Sequence, residues 1–392
     1  MKERLLHTPE GVRDVYGKEF ILKSDLKDVL LNKFHLYGYD DILTPTFEYF
    51  DVFSSNIGTI PSKDLYKFFD NEGNTLVLRP DFTPSIARCV AKYHMGETMP
   101  IRLCYTGNTF MNVSDLQGRL KESTQIGVEL INDSSATADT EMIALMIESL
   151  RELGLQEFQI TIGNVEYFKG LCEELGISSE MELDLRDYIS NKNYFGAEAI
   201  LDAAYIDPDT KNKLLKVTEL FGQADILVKA RDMVRNERSL NAIDRLNKIF
   251  DLLKSQNMDG FITFDLGMLS KYNYYTGVIF RAYTYGASDA IMKGGRYDKL
   301  LSEFGNDAPA IGFAIVLDDL YMTLNRLNLL NDTKEKKVLL LFDESNQAAS
   351  YEEAGRLRKE GVRTVLMQYD PLNDEKYTEY ADKFDFEVRK IK

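Results

Sequence analysis

Two alternating runs of residues, separated by a polar loop, limit what this chain can fold into more than anything else in it. Ile101-Arg102-Leu103-Cys104-Tyr105 alternates apolar with polar, Thr124-Gln125-Ile126-Gly127-Val128-Glu129 does so again, and Asn112, Ser114, Asp115 and Gly118 lie between. Side chains of a strand point alternately to its two faces, so the pattern predicts an antiparallel hairpin with a long tip. The second strand sends Gln125, Gly127 and Glu129 to one face and Ile126 and Val128 to the other. One face is core. The other carries a carboxamide, a bare backbone and a carboxylate, which suits either a polar ligand or a solvated surface.

The flanking segments predict an α+β protein. Residues 19–36 have helical periodicity, with Gly38 as a C-terminal cap, and Asp41-Ile42-Leu43-Thr44-Pro45 reads as a strand closed by proline. Phe68-Phe69-Asp70 and Thr75-Leu76-Val77-Leu78-Arg79 flank a turn at Asn71-Glu72-Gly73-Asn74, and Arg79-Pro80-Asp81-Phe82-Thr83-Pro84 leads into a helix from Ser85. A helix over 139–153 precedes the strand Phe158-Gln159-Ile160-Thr161-Ile162-Gly163. Residues 168–256 then read as a helical insertion. Strands return over 261–268 and 272–280, and again in Ala308-Pro309-Ala310-Ile311-Gly312-Phe313-Ala314-Ile315, which runs into a helix. After a polar linker at 331–337, the tail reads β-α-β with a parallel pair. The expected domains are therefore 1–167 with 257–330, the insertion 168–256, and a small C-terminal α/β domain at 336–392.

Composition narrows the function. The chain has 392 residues, 44% of them hydrophobic, enough for two or three globular domains. A net charge of −16 argues against a surface built to neutralise phosphates, so tRNA binding is not expected. Cys89, Cys104 and Cys172 have no C-x-x-C spacing, and His7, His35 and His94 form no ligand motif. Neither a disulfide framework nor a metal site is indicated. No apolar run is long enough to span a bilayer and the N-terminal stretch has no apolar targeting region, so a cytoplasmic protein is expected.

Several of these segments resemble class II aminoacyl-tRNA synthetases, in the histidyl version. The hairpin with Gly118-Arg119 and Gln125-Ile126-Gly127-Val128-Glu129 is similar to the second class II motif, and residues 19–48 to the first, which in that family forms a dimer interface. Tyr274-Tyr275-Thr276-Gly277 and Gly294-Gly295-Arg296-Tyr297-Asp298 are similar to the two histidine-specific signatures, and residues 308–319 to the third class II motif. The resemblance implies a synthetase-like antiparallel sheet flanked by helices, and a C-terminal remnant of the anticodon-binding domain. It implies a pocket that reads an amino acid and an imidazole with Asp81, Thr83, Gln125, Glu129, Tyr274 or Tyr275, and Tyr297, in which Asp81 and Thr83 take the ammonium group and Glu129 and a tyrosine hydroxyl take the two ring nitrogens. Gly294 and Gly295 would let the backbone approach the ligand.

Three arginines that handle ATP and the carboxylate in the synthetases fall at Met111, Ser270 and Asp319. The carboxylate then falls to Arg119 or Arg296. A pocket kept without its phosphate grip resembles the regulatory subunits of ATP phosphoribosyltransferase, a catalytically silent family related to histidyl-tRNA synthetase. That resemblance implies no catalytic residues and no cofactor, with L-histidine as a feedback effector. It further implies a short-form catalytic subunit as partner, and a self-dimer within a hetero-octamer. An active histidyl-tRNA synthetase and an orphan paralogue with another partner are the alternatives.

Overall fold

The computed structural model describes residues 6–54, 60–113, 120–270, 274–330 and 336–391. The chain divides into two compact units, Met1–Leu330 and Asn331–Lys392. In the first, the strands in chain order are β1 (Asp40–Asp41), β2 (Phe47–Tyr49), β3 (Lys67–Phe69), β4 (Thr75–Leu78), β5 (Ile101–Phe110), β6 (Glu122–Ile131), β7 (Phe158–Asn164), β8 (Phe221–Gly222), β9 (Ile262–Asp265), β10 (Val278–Thr284), β11 (Met292–Arg296) and β12 (Ala310–Val316). The helices are α1 (Gly17–Leu36), α2 (Thr83–Tyr93), α3 (Ala136–Glu152), α4 (Val165–Glu174), α5 (Ser179–Ser190), α6 (Tyr194–Ala203), α7 (Pro208–Leu215), α8 (Asp225–Met233), α9 (Glu237–Ser255) and α10 (Leu317–Arg326).

Among the described residues one sheet holds nine strands, in the order β1-β5-β6-β12-β11-β10-β7-β9-β8, and β2-β4-β3 form a separate small sheet. The predicted hairpin is its organising pair: β5 and β6 run antiparallel with Tyr105 opposite Gly127 and Leu103 opposite Glu129. The alternation holds, since Ile126 and Val128 are buried in the core with Leu30 and Phe34 of α1 and Met142 and Met146 of α3. Ser135 starts α3 by accepting the N–H of Ala138 at 3.1 Å.

Three predicted strands are shorter than their patterns suggest. The Ile42 N–H still donates to the Cys104 carbonyl at 2.8 Å; the chain then leaves the sheet before Pro45, and the carbonyls of Thr44 and Pro45 accept from the Arg79 guanidinium at 2.8 and 3.3 Å. The strand expected over 261–268 is a 3₁₀ turn followed by β9, which ends where the Asp265 carboxylate accepts the Gly267 N–H at 2.9 Å. The strand expected over 272–280 begins only at Val278; before it Tyr274 and Tyr275 pack ring on ring at 4.5 Å instead of alternating across a sheet. Residues 271–273 lie outside the described residues.

Residues 165–255 supply α4 to α9, with the two-residue β8 pairing antiparallel to β9 at the sheet's edge. The core of these helices, with Leu171, Leu185, Leu246 and Ile249, is continuous with that beneath the sheet. The second unit contains β13 (Lys337–Phe342), α11 (Gln347–Lys359), β14 (Arg363–Gln368), α12 (Asp374–Phe384) and β15 (Glu387–Ile391). Its strand order is β14-β13-β15, with both pairings parallel. β13 lies in the middle and is apolar from Val338 to Phe342, as expected of a parallel strand covered on both faces. The sequence pattern predicts β13, α11 and β14; α12 and the charged edge strand β15 extend it. No described helix is long and apolar enough to cross a membrane.

Candidate functional site

A cavity of about 170 Å³ opens on the face of the large sheet opposite α1 and α3. Its floor comes from β5, β6, β11 and β12, and its walls from the turn before α2 and from Tyr274 and Tyr275.

At its centre is Glu129, fully buried on β6. One carboxylate oxygen accepts from the Thr83 hydroxyl at 2.8 Å and the other from the Tyr297 hydroxyl. Gly312 stands directly opposite on β12, and any side chain there would overlap the carboxylate. Burial pushes the Glu129 carboxyl up to about 8, opposed by the two hydroxyl donors and reinforced by Asp81. Without a charged partner the group therefore favours its protonated form near neutral pH. A ligand that brings N–H donors or a positive charge restores the ionised form.

The surrounding groups point the same way. Asp81 sits at the turn into α2, where Oδ1 accepts the Thr83 N–H at 3.3 Å, and burial raises its pKa. Its role at the start of α2 and its place on the cavity wall coexist. The Tyr105 hydroxyl and Gln125 Oε1 are buried, line the cavity and find no hydrogen-bond partner among the described residues. Orphaned polar atoms of this kind are costly in a finished core and mark a place where a ligand or water completes the bonding. Tyr105 stacks on Phe82 at 4.4 Å and runs beneath Gly127, where a side chain would collide with its ring.

Sequence reasoning placed Asp81, Thr83, Gln125, Glu129, Tyr274, Tyr275, Gly294, Gly295 and Tyr297 here, and the structure brings all of them to the cavity. Arg119 lies outside the described residues. Arg296 is a correction: it does not line the cavity. It is buried on the other side of β11, with Nε 2.8 Å from Asp139 Oδ1 and Nη1 3.1 Å from Asp298. Arg245 of α9 holds the second Asp139 oxygen at 2.6 Å. The guanidinium pKa is raised, burial being outweighed by Asp139 and Asp298. The paired glycines line the cavity and are confined by the protein as well: a Cβ on Gly295 would come within 2.7 Å of the Tyr275 ring and one on Gly294 would overlap the Gly312 carbonyl oxygen.

Tyr105, Gly312 and Lys293 also line the cavity and were missed. The one available signal was a lone glycine within the apolar run of β12. Of the three positions where synthetases carry arginine, Met111 and Asp319 line the cavity and Ser270 is buried outside its lining. Among the described lining residues Lys293 is the single cation, against Asp81, Glu129 and Asp319. Such a lining receives an ammonium or imidazole group far better than a polyphosphate.

Elsewhere, His35, Asp41 and Cys104 bring possible metal-ligating atoms within 4.8 Å of one another, a grouping that no sequence motif announces. Asp41 already bridges them, 3.0 Å from His35 Nε2 and 3.5 Å from the Cys104 sulfur.

Comparison with known proteins agrees with this geometry. Residues 11–320 match the family model described as Histidyl-tRNA synthetase. A relative from Acetivibrio thermocellus, named ATP phosphoribosyltransferase regulatory subunit, is 38% identical over 92% of this chain and 87% of its own length. A crystal structure from Bacillus halodurans, described as an ATP phosphoribosyltransferase regulatory subunit/histidyl-tRNA synthetase, is 32% identical, covers 98% of each chain and has a TM-score of 0.87. A histidyl-tRNA synthetase from Nostoc shares the fold, with a TM-score of 0.82 at 22% identity over 97% of this chain and 90% of its own. The chain thus belongs to the histidyl-tRNA synthetase-like family, in the branch of the ATP phosphoribosyltransferase regulatory subunits.

Proposed function

We propose that this chain is a non-catalytic regulatory subunit of ATP phosphoribosyltransferase. It enables a short-form catalytic chain to perform the first step of histidine biosynthesis, and it holds L-histidine in the Glu129 cavity as a feedback effector. The observation that carries this reading is the asymmetry of the cavity. Its amino-acid end keeps Glu129 hydrogen-bonded to Thr83 and Tyr297, whereas the phosphate end carries Met111 and Asp319. A carboxylate in place of a cation about 4 Å from a phosphate changes the interaction from attraction to repulsion, each worth roughly 4 kcal/mol at an effective dielectric near 20.

A self-dimer within a larger hetero-oligomer, the hetero-octamer implied by the resemblance, fits the exposed apolar side chains around the end of α1 and the chain after it. Leu36 and Leu43 are 81% and 85% exposed, and Phe47 and Tyr49 lie beside them in sequence. The net charge of −16 favours a protein partner over RNA.

The direct test mixes the purified chain with the short catalytic subunit and measures phosphoribosyl transfer with and without histidine. Activity is expected only in the mixture, and histidine is expected to suppress it. Failure of the two chains to form a complex would refute the assignment.

A further inference from the structure

An amino acid has a carboxylate, and of the residues expected to meet it Arg119 lies outside the described residues while Arg296 faces away from the cavity. Ser270 stands where the synthetases have arginine, and Arg296 is locked to Asp139. Alternation along β11 explains why: Met292, Gly294 and Arg296 face the core beneath the sheet, while Lys293, Gly295 and Tyr297 face the cavity. Lys293 is on the ligand face at the half-exposed mouth, with its ammonium 2.7 Å from Asp289. Four residues of strand place its Cα about 13 Å from that of Tyr297. That leaves room between the lysine ammonium and the tyrosine hydroxyl for an amino acid lying along the strand, ring inward at Glu129 and carboxylate outward.

We propose that Lys293 is the carboxylate-binding residue of this cavity, leaving Asp289 to grip the α-carboxylate of the bound ligand. The proposal rests on the reading that the cavity takes an amino acid. It supplies the cation that the three lost arginine positions removed, at the end of the cavity where a charged group keeps contact with water. The lysine's resting partner is an exposed one, and such surface pairs hold weakly enough to be exchanged. The arrangement also selects the ligand: an amino acid gains from Lys293, whereas the corresponding amine or alcohol gains nothing.

The test is calorimetric titration of the full chain and of Lys293→Met with L-histidine and with L-histidinol, in which an alcohol replaces the carboxylate. In the variant, the ratio of histidine to histidinol affinity should fall roughly tenfold, the scale of one charge-assisted hydrogen bond, with histidinol binding unchanged. If Lys293→Met weakens both ligands alike, or leaves both alone, the lysine does not read the carboxylate and the proposal is overturned while the amino-acid cavity stands. If the unmodified chain binds neither ligand, the amino-acid cavity itself is refuted and this assignment with it.

Discussion

Glu129 is the residue on which the cavity's behaviour turns. Its carboxyl is held at about 8 instead of 4.5, chiefly by burial. The folded protein therefore keeps a proton that the unfolded chain releases above about 4.5, so folding is penalised progressively as pH rises from about 4.5 to about 8. Glu129→Gln removes that penalty and retains the shape. Its urea midpoint should vary less with pH across this window than that of the parent and should exceed the parent's at pH 8. Histidine binding should move in the opposite direction, weakening by roughly tenfold or more through loss of a charged acceptor. Denaturation at several pH values, paired with calorimetry, checks both. A variant whose midpoint varies with pH as the parent's does across this window would mean that burial does not hold a proton on Glu129.

The strand is the scale at which the site was legible in the chain, and also where reading it failed. Period-two alternation on β6 put Gln125 and Glu129 on one face, and it is the same rule that separates Arg296, the last residue of β11, from Tyr297 just after it. Neighbours in a strand cannot share a face, so of Arg296 and Tyr297 only one could reach the ligand. Gly312 was missed for a different reason, since which residue stands across from Glu129 is decided by pairing between distant strands, and a lone glycine does not say what it faces. The residue sent the other way has work of its own, because Arg296 and Arg245 both close on Asp139 at the first turn of α3. Asp139→Asn leaves the buried Arg296 guanidinium with Asp298 as its remaining carboxylate partner, and it should cost roughly 3 kcal/mol in chemical denaturation. Combining it with Arg296→Met should cost clearly less than the sum of the two single changes, as expected when both act on one buried pair. Additive costs would show that the two side chains contribute independently.

Across the whole molecule, the two compact units carry separate cores. The second is built on Val338, Leu340, Ala354 and Leu357, and every residue that lines the cavity lies before Leu330. The α+β plan of the first unit could be read from hairpin and helix patterns, whereas the edge strand β15 could not, because a charged, exposed strand has no apolar alternation to announce it. If the amino-acid site depends only on the sheet that forms it, a chain ending at Leu330 should unfold cooperatively and bind histidine within about twofold of the full chain, as additivity of independent regions requires. Circular dichroism melting and calorimetry on the truncated protein measure this. Retained binding with lost activation of the catalytic subunit would assign residues 336–391 to the partner. Loss of histidine binding would show that the first unit does not hold the cavity by itself.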